Sequence, residues 1–252
     1  QCFVHPYVNI AWGAFWDCDH IVEVWLSNIR SIEQMNFCYC DNLEYINLLD
    51  DVEYIANDVL SYCSNLKGLS LPRVESIGSH TFCDNESLEY ISLNSEYLEE
   101  VNTIANDNIS LTTINLGTRV SSIINSFNGC AAITEVYCKA TTPPALTDSF
   151  DSVVAPTIYV PVEAFYLYKS AEGWKDFADY IVGYNFETGE VVEGYGIDDS
   201  NLDHNKYLTY VANHSYLLDF EDEDYYYWDT YFTNLGLLAL GDIAQAKNGC
   251  TV

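Results

Sequence analysis

The residue types in this chain that could do chemistry are nine cysteines, five histidines and a large excess of carboxylates. His5, His20, His80, His204 and His214 stand singly, and no Ser or Cys sits in a recognisable nucleophile elbow. There is no phosphate-binding glycine loop and no HExxH pair. Cys38 and Cys40 form a C-x-C pair, but no second ligand pair follows at zinc spacing. Asp199, Asn201, Asp203 and Asn205 alternate like the oxygen ligands of a calcium loop. The loop's glycine is missing, however, and Tyr210 stands where the bidentate Glu belongs, so a solvated turn is the plainer reading and Asp199, Asn201 and Asp203 form a weak calcium candidate. The run Glu221–Asp224 reads as hydrated surface, with a site for a cation or basic partner as its alternative. No catalytic set and no cofactor are implied, so an enzyme is not expected.

Thirty-eight Asp and Glu against nine Lys and Arg give a net charge of -29. Such a surface repels phosphate backbones and anionic lipid headgroups, which disfavours nucleic acid and membrane surfaces as partners. Cations, basic proteins and uncharged sugars remain open. No apolar run reaches the roughly eighteen residues of a membrane span, so membrane insertion is not expected. The opening Gln1 in place of Met, with a tyrosine-rich and lysine-poor composition, points to a secreted or cell-surface chain.

The elements that must position these residues follow from an internal repeat. Ile21-Val22-Glu23-Val24-Trp25-Leu26, Leu43-Glu44-Tyr45-Ile46-Asn47-Leu48 and Leu66-Lys67-Gly68-Leu69-Ser70-Leu71 share the pattern apolar-x-x-apolar-x-apolar. So do the segments that begin at Leu88, Leu111 and Ile133. The first apolar position steps alternately by 22 and 23 residues, and Ile158 and Val160 continue the series 22 residues beyond Val136 and Cys138. Six registers without a slip are not a chance pattern.

Between these segments, Ile32 and Phe37 precede Cys40, Ile55 and Leu60 precede Cys63, Ile77 and Phe82 precede Asn85, and Ile123 and Phe127 precede Cys130. A single unit cannot hold itself together, because ordering each of its residues costs about 1–2 kcal/mol of backbone entropy. Stacked units succeed by sharing apolar faces and ladder hydrogen bonds. Rungs about 4.8 Å apart then place like residues above like, in leucine, isoleucine, phenylalanine and cysteine columns. Cys18, Cys40, Cys63 and Cys130 thus read as small buried residues with weak S–H donors, since parallel side chains disfavour disulfide geometry. Cys38 and Cys83 follow the Phe position, and the pairing of Cys2 and Cys250 is left open.

With these residues in place, the chain resembles the BspA-like (type 5) leucine-rich-repeat proteins over roughly residues 10–182. The signature F-x-x-C-x-x-L-x-x-I-x-L is clearest in Phe15-Trp16-Asp17-Cys18, Phe37-Cys38-Tyr39-Cys40 and Leu69-Ser70-Leu71-Pro72. Ile158-Tyr159-Val160-Pro161, Tyr168-Lys169 and Trp174-Lys175-Asp176-Phe177 look like that family's closing segment. The unit around Val101 to Leu111 departs from the pattern: it is one residue short before its strand and lacks both the Phe and the Cys. The resemblance implies a protein of bacterial or protist surfaces that acts in adhesion and protein recognition, without catalytic residues.

The expected fold is therefore a leucine-rich-repeat solenoid over residues 1–182: a parallel β-ladder of about seven rungs, an irregular or short-helical convex side and a helical C-terminal cap. Past about Ile181 the register stops. Residues 183–252 carry thirteen acidic side chains against Lys206 and Lys247 and read as a small β-rich module or arm. The outward positions on the concave sheet are Glu23, Trp25, Tyr45, Asn47, Gly68, Ser70, Tyr90, Ser92, Thr113, Asn115, Glu135 and Tyr137. Rigid rings beside amides and hydroxyls suit an extracellular protein or glycan. The leading expectation is an adhesion or recognition protein that binds through this face. The alternative is a structural subunit of an extracellular or virion assembly, self-associating through residues 183–252, where Leu235–Leu240 is apolar. Calcium-dependent glycan binding is a third reading.

Overall fold

The structure is a computed structural model that describes residues 10–26, 28–47 and 51–192, and residues 2–3 by their backbone. Leu48, the calcium candidate Asp199, Asn201 and Asp203, the Glu221–Asp224 run, the Leu235–Leu240 stretch and Cys250 lie outside the described residues.

Each apolar-x-x-apolar-x-apolar segment forms a short strand: Glu23–Trp25, Tyr45–Asn47, Gly68–Ser70, Tyr90–Leu93, Thr113–Leu116, Glu135–Cys138 and Thr157–Pro161. Within each of two sheets they pair in parallel with no slip, for example Ile91 to Ile114 and Ile114 to Val136. Strand residues alternate between faces, so Val24, Ile46, Leu69, Ile91, Ile114, Val136 and Ile158 form one buried column. Leu26, Leu71, Leu93, Leu116, Cys138 and Val160 form the next.

The concave ladder is divided in two. Cys2–Phe3, Glu23–Trp25 and Tyr45–Asn47 form one sheet, and a seven-stranded sheet begins at Gly68–Ser70. The Lys67 N–H donates to the Glu44 carbonyl at 3.3 Å across the division. The ladder also runs one rung beyond the sequence pattern. Ile181–Asn185 pairs in register with Thr157–Pro161, Ile181 beside Ile158 and Gly183 beside Val160. The glycine hides this rung from any hydrophobic pattern. An antiparallel strand, Glu190–Val191, then covers the last edge.

Behind the concave strands lies a second, lateral set. Ser31–Ile32, Tyr54–Ile55 and Ser76–Ile77 form one three-stranded sheet, and Glu100–Asn102, Ser122–Ile124 and Ala145–Thr147 another. The lateral ladder is cut between Ser76 and Glu100 because the chain is redistributed there. The step from Ser76 to Glu100 is 24 residues, whereas Leu69 to Ile91 on the concave side is 22. The added length turns at Ser95, whose Oγ donates to the Val74 carbonyl at 2.6 Å and accepts the Tyr97 N–H at 3.1 Å. The missing residue comes off the far side: the lateral apolar residue precedes the phenylalanine column by five at Ile77–Phe82 but by four at Ile123–Phe127. A polar groove of about 590 Å³ opens at the cut, lined by Glu75, Tyr97, Glu99, Glu100, Asn102 and Arg119.

The cysteine column is buried and free of disulfides: Cys40, Cys63 and Cys130 are fully covered and Cys18 partly so. Each covered thiol donates to the carbonyl at the phenylalanine position one unit earlier. Cys40 reaches Phe15 at 3.1 Å, Cys63 reaches Phe37 at 3.0 Å and Cys130 reaches Ala105 at 3.2 Å. Asn85 fills the column the same way, donating through Nδ2 to Leu60 at 2.9 Å. The irregular unit is not empty there: Asn108 takes the cysteine position and donates to Phe82 at 2.9 Å, while Ala105 takes the phenylalanine position. Both asparagines add a second bond through Oδ1, accepting the N–H of Cys63 at 2.7 Å and of Asn85 at 2.9 Å. The shared requirement of the column is a small side chain with one donor. Asparagine meets it and adds an acceptor.

The cap closes the C-terminal end. A short helix, Phe165–Ser170, and a 3-10 helix, Trp174–Tyr180, follow Thr157–Pro161. The buried Tyr168 hydroxyl donates to the Ala140 carbonyl at 2.9 Å and lies 3.1 Å from Cys138 Sγ. Trp174, 1% exposed, donates through Nε1 to Pro144 at 2.7 Å. Two large rings that would be costly on a surface thus cover the last apolar columns, with their polar tips satisfied. Among the described residues, no helix is long and apolar enough to cross a membrane.

Candidate functional site: the outward face of the concave ladder

All twelve outward positions read from the sequence lie on the concave strands, partly or well exposed, flanking a buried residue in each strand. Register sorts them into two rows. In one, Glu23 pairs with Tyr45, and beyond the division Gly68, Tyr90, Thr113 and Glu135 follow one another. In the other, Trp25 pairs with Asn47, and Ser70, Ser92, Asn115 and Tyr137 follow. The four aromatics therefore do not form one stripe: Tyr45 and Tyr90 share a row, and Trp25 and Tyr137 belong to the other.

Three aromatic environments result. Near the N-terminal end, Trp25 and Tyr45 meet diagonally, ring centroids 5.3 Å apart and planes tilted by 50°. Trp25 Nε1 donates to Glu23 at 3.4 Å, which holds the indole along the strand. At the C-terminal end, Tyr137 stacks on Tyr159 at 4.3 Å, and Tyr184 meets both edge-on at 5.6 and 5.1 Å. Phe186 adds a fourth ring beside Tyr184, and Lys139 lies over it at 5.5 Å. Burial, with Glu135 close by, pushes the Tyr137 hydroxyl above the ordinary phenol range, so it stays a hydrogen-bond donor throughout neutral pH. Tyr159 lies on the seventh rung, which the repeat reached, but was not counted among the outward positions; Tyr184 and Phe186 lie beyond it, where the register had stopped. The third environment is Tyr90, at the centre, which pairs with no ring among the described residues.

Nothing in this face is arranged for covalent chemistry. The thiols are behind it, and desolvation pushes Cys40, Cys83 and Cys130 up to about 12 and Cys38 and Cys138 up to about 11. A thiol so shifted is almost wholly protonated at neutral pH and is a poor nucleophile and a poor metal ligand. Among the described residues, no group of three or more His, Cys, Asp or Glu could hold a metal ion. What the face offers is area, rigid rings and neutral hydrogen-bonding groups.

The family described as BspA type leucine rich repeat region matches residues 8–134 and 55–162, with six copies of the repeat. The chain belongs to that family. BspA-type proteins are typically associated with surfaces and are typically not enzymes. None of the curated proteins matches the chain. Among solved structures it is similar to a leucine-rich repeat protein of T. pallidum, at 27% identity over 56% of this chain and 67% of that one, with a TM-score of 0.49. It is also similar to a leucine-rich repeat protein from Bacteroides ovatus, at 17% identity over 71% of this chain and 73% of that one, with a TM-score of 0.29. In this BspA-type chain the matched region covers the described concave strands from Glu23–Trp25 through Thr157–Pro161.

Proposed function

We propose that the protein is a secreted or cell-surface recognition protein that binds an extracellular protein or glycan through the outward face of its concave ladder. The observation that carries this reading is the composition of that face: Trp25, Tyr45, Tyr90 and Tyr137 beside Asn47, Ser92, Thr113 and Asn115, all projected from hydrogen-bonded strands. Aromatic side chains on a rigid frame give contact area at low entropic cost, and small amides and hydroxyls supply adaptable hydrogen bonds around them. Family membership supports the same reading, and the net charge of -29 argues against nucleic acid and anionic membranes as partners.

The test is binding of the full chain to an immobilised panel of extracellular-matrix proteins and oligosaccharides. Carrying Tyr45→Ala and Tyr90→Ala together should weaken whichever interaction is found by about tenfold or more, with the circular dichroism spectrum unchanged. Both rings are close to half exposed, at 44% and 45%, so little core packing is lost. Unaltered affinity in that double variant rejects the face.

A further inference from the structure

We propose that Tyr90, laid over Gly68, is a stacking platform for a neutral hexopyranose ring, so that the partner of this face is an uncharged glycan. This rests on the reading of the concave face as the recognition surface and names the chemistry of its ligand.

Rung-over-rung stacking usually hides aromatic faces. Tyr39 and Tyr62 on the convex side lie 4.5 Å apart with planes 1° from parallel, and Tyr137 and Tyr159 lie 4.3 Å apart at 9°. In such pairs each ring covers the other and presents mainly its rim to solvent. A pyranose needs the opposite: its axial C–H groups carry slight positive charge and seat on the electron-rich face of a free ring.

Tyr90 has that free face because of its neighbours. Its register partner on one side is Gly68, and on the other the small Thr113. A Cβ on Gly68 would overlap Cδ1, Cε1 and Cζ of Tyr90, so the ring fills the space a side chain would take. The ring lies over Gly68, and the residue is still 45% exposed. Among the described aromatic pairs none includes Tyr90.

The surroundings select for a neutral ligand. The outward positions of the three central strands, Gly68, Ser70, Tyr90, Ser92, Thr113 and Asn115, carry no charge, in a chain with 38 acidic residues. A cationic partner finds no carboxylate among these six positions, and an anionic sugar meets a strongly negative molecule. Glu135 stands next to Thr113 in its row and accepts from the Thr113 hydroxyl at 3.5 Å; Ser70, Ser92 and Asn115 offer hydroxyl and amide groups, which donate and accept as sugar hydroxyls require.

The experiment uses the full chain on a glycan array with neutral, sialylated and sulfated arms, followed by calorimetry with cellohexaose, mannohexaose and chitohexaose. Neutral glycans should bind, sialylated and sulfated ones should not. Tyr90→Phe should keep affinity within about threefold, and Tyr90→Ala should lose about tenfold or more. Gly68→Ala should lose as much, because the new methyl lifts the ring away while the Tyr90 side chain is still present. If Gly68→Ala fails to fold, the Tyr90→Phe and Tyr90→Ala pair decides. Binding confined to charged glycans, no glycan binding at all, or neutral binding indifferent to Tyr90→Ala overturns the proposal. A protein ligand lost in the Tyr45→Ala and Tyr90→Ala double variant, with no glycan bound, overturns the glycan and keeps the face.

Discussion

Raised through pH 9, the protein is expected to lose its fold in one steep transition, and its buried thiols are the reason. In the unfolded chain a cysteine loses its proton near pH 9. In the fold, burial moves Cys38 and Cys138 up to about 11 and Cys40, Cys83 and Cys130 up to about 12, and raises Cys63 as well. Below pH 9 both states are protonated and the thiols contribute no pH dependence. Between 9 and the folded values, the unfolded chain binds fewer protons than the fold, so stability falls as pH rises. Each thiol contributes a slope of about 1.4 kcal/mol per pH unit. The five with folded values near 11 or 12 together remove roughly 10 kcal/mol or more within about two pH units. That is comparable to the whole stability of an ordinary domain, about 5–15 kcal/mol, and Cys63 acts in the same direction. The Tyr168 hydroxyl, raised by its own burial, adds to the slope at higher pH. In a variant with Cys2, Cys18 and Cys250 replaced by serine, circular dichroism and thiolate absorbance followed together in an alkaline titration should change in step. Thiolate absorbance rising near pH 9 while the sheet signal persists would show the column to be open to water.

The second large effect is expected at Asn108. Its amide is fully buried and closes two bonds at once, to the Phe82 carbonyl and from the Asn85 N–H. Alanine leaves both backbone groups buried without a partner. Each such orphan costs about 1–3 kcal/mol, so Asn108→Ala should destabilise by about 2–6 kcal/mol. Asn108→Cys should cost about half as much, because a thiol there can donate to Phe82 as Cys63 donates to Phe37 but cannot accept from Asn85. Urea unfolding at a constant slope measures the ranking. Equal midpoints for the two variants would mean that the donor to the Phe82 carbonyl contributes nothing to the column, and a midpoint of Asn108→Cys equal to that of the native protein would mean the same of the asparagine oxygen.

These two sites show what the sequence made legible and what it did not. The concave ladder, its register and its buried columns followed from residue type and spacing, since a parallel stack places every 22nd or 23rd residue in one environment. The cysteines were legible for the same reason. Asn108 was overlooked because its unit lacks the Phe that marks the column elsewhere, although Asn85 already stood at the equivalent position one unit earlier. The cut in the lateral ladder was invisible because the residues added around Ser95 are offset farther along, so the period itself hardly changes. The rung at Ile181 was hidden by Gly183.

The candidate face was legible as a set of positions but not as an arrangement. Alternation named which side chains point outward, and the strands place all of them there. Which rings pair, which row each occupies and what lies beneath them depend on neighbours two or more strands away. Gly68 carries no periodic signal at all, yet it decides how Tyr90 lies.

All of this depends on rungs being stacked at strand spacing, and a distance measurement reaches that claim directly. Spin labels at Ser70→Cys and Tyr159→Cys are separated by 89 residues of chain but by four strand pairings, Ser70 to Ser92, Asn115, Tyr137 and Tyr159. With Cys2, Cys18 and Cys250 replaced by serine, the remaining thiols are buried and leave labelling largely to the introduced pair. At about 4.8 Å per rung, the backbone positions should be about 19 Å apart, with a narrow distribution of label distances. A broad distribution centred well beyond that value would mean that the chain does not coil rung upon rung.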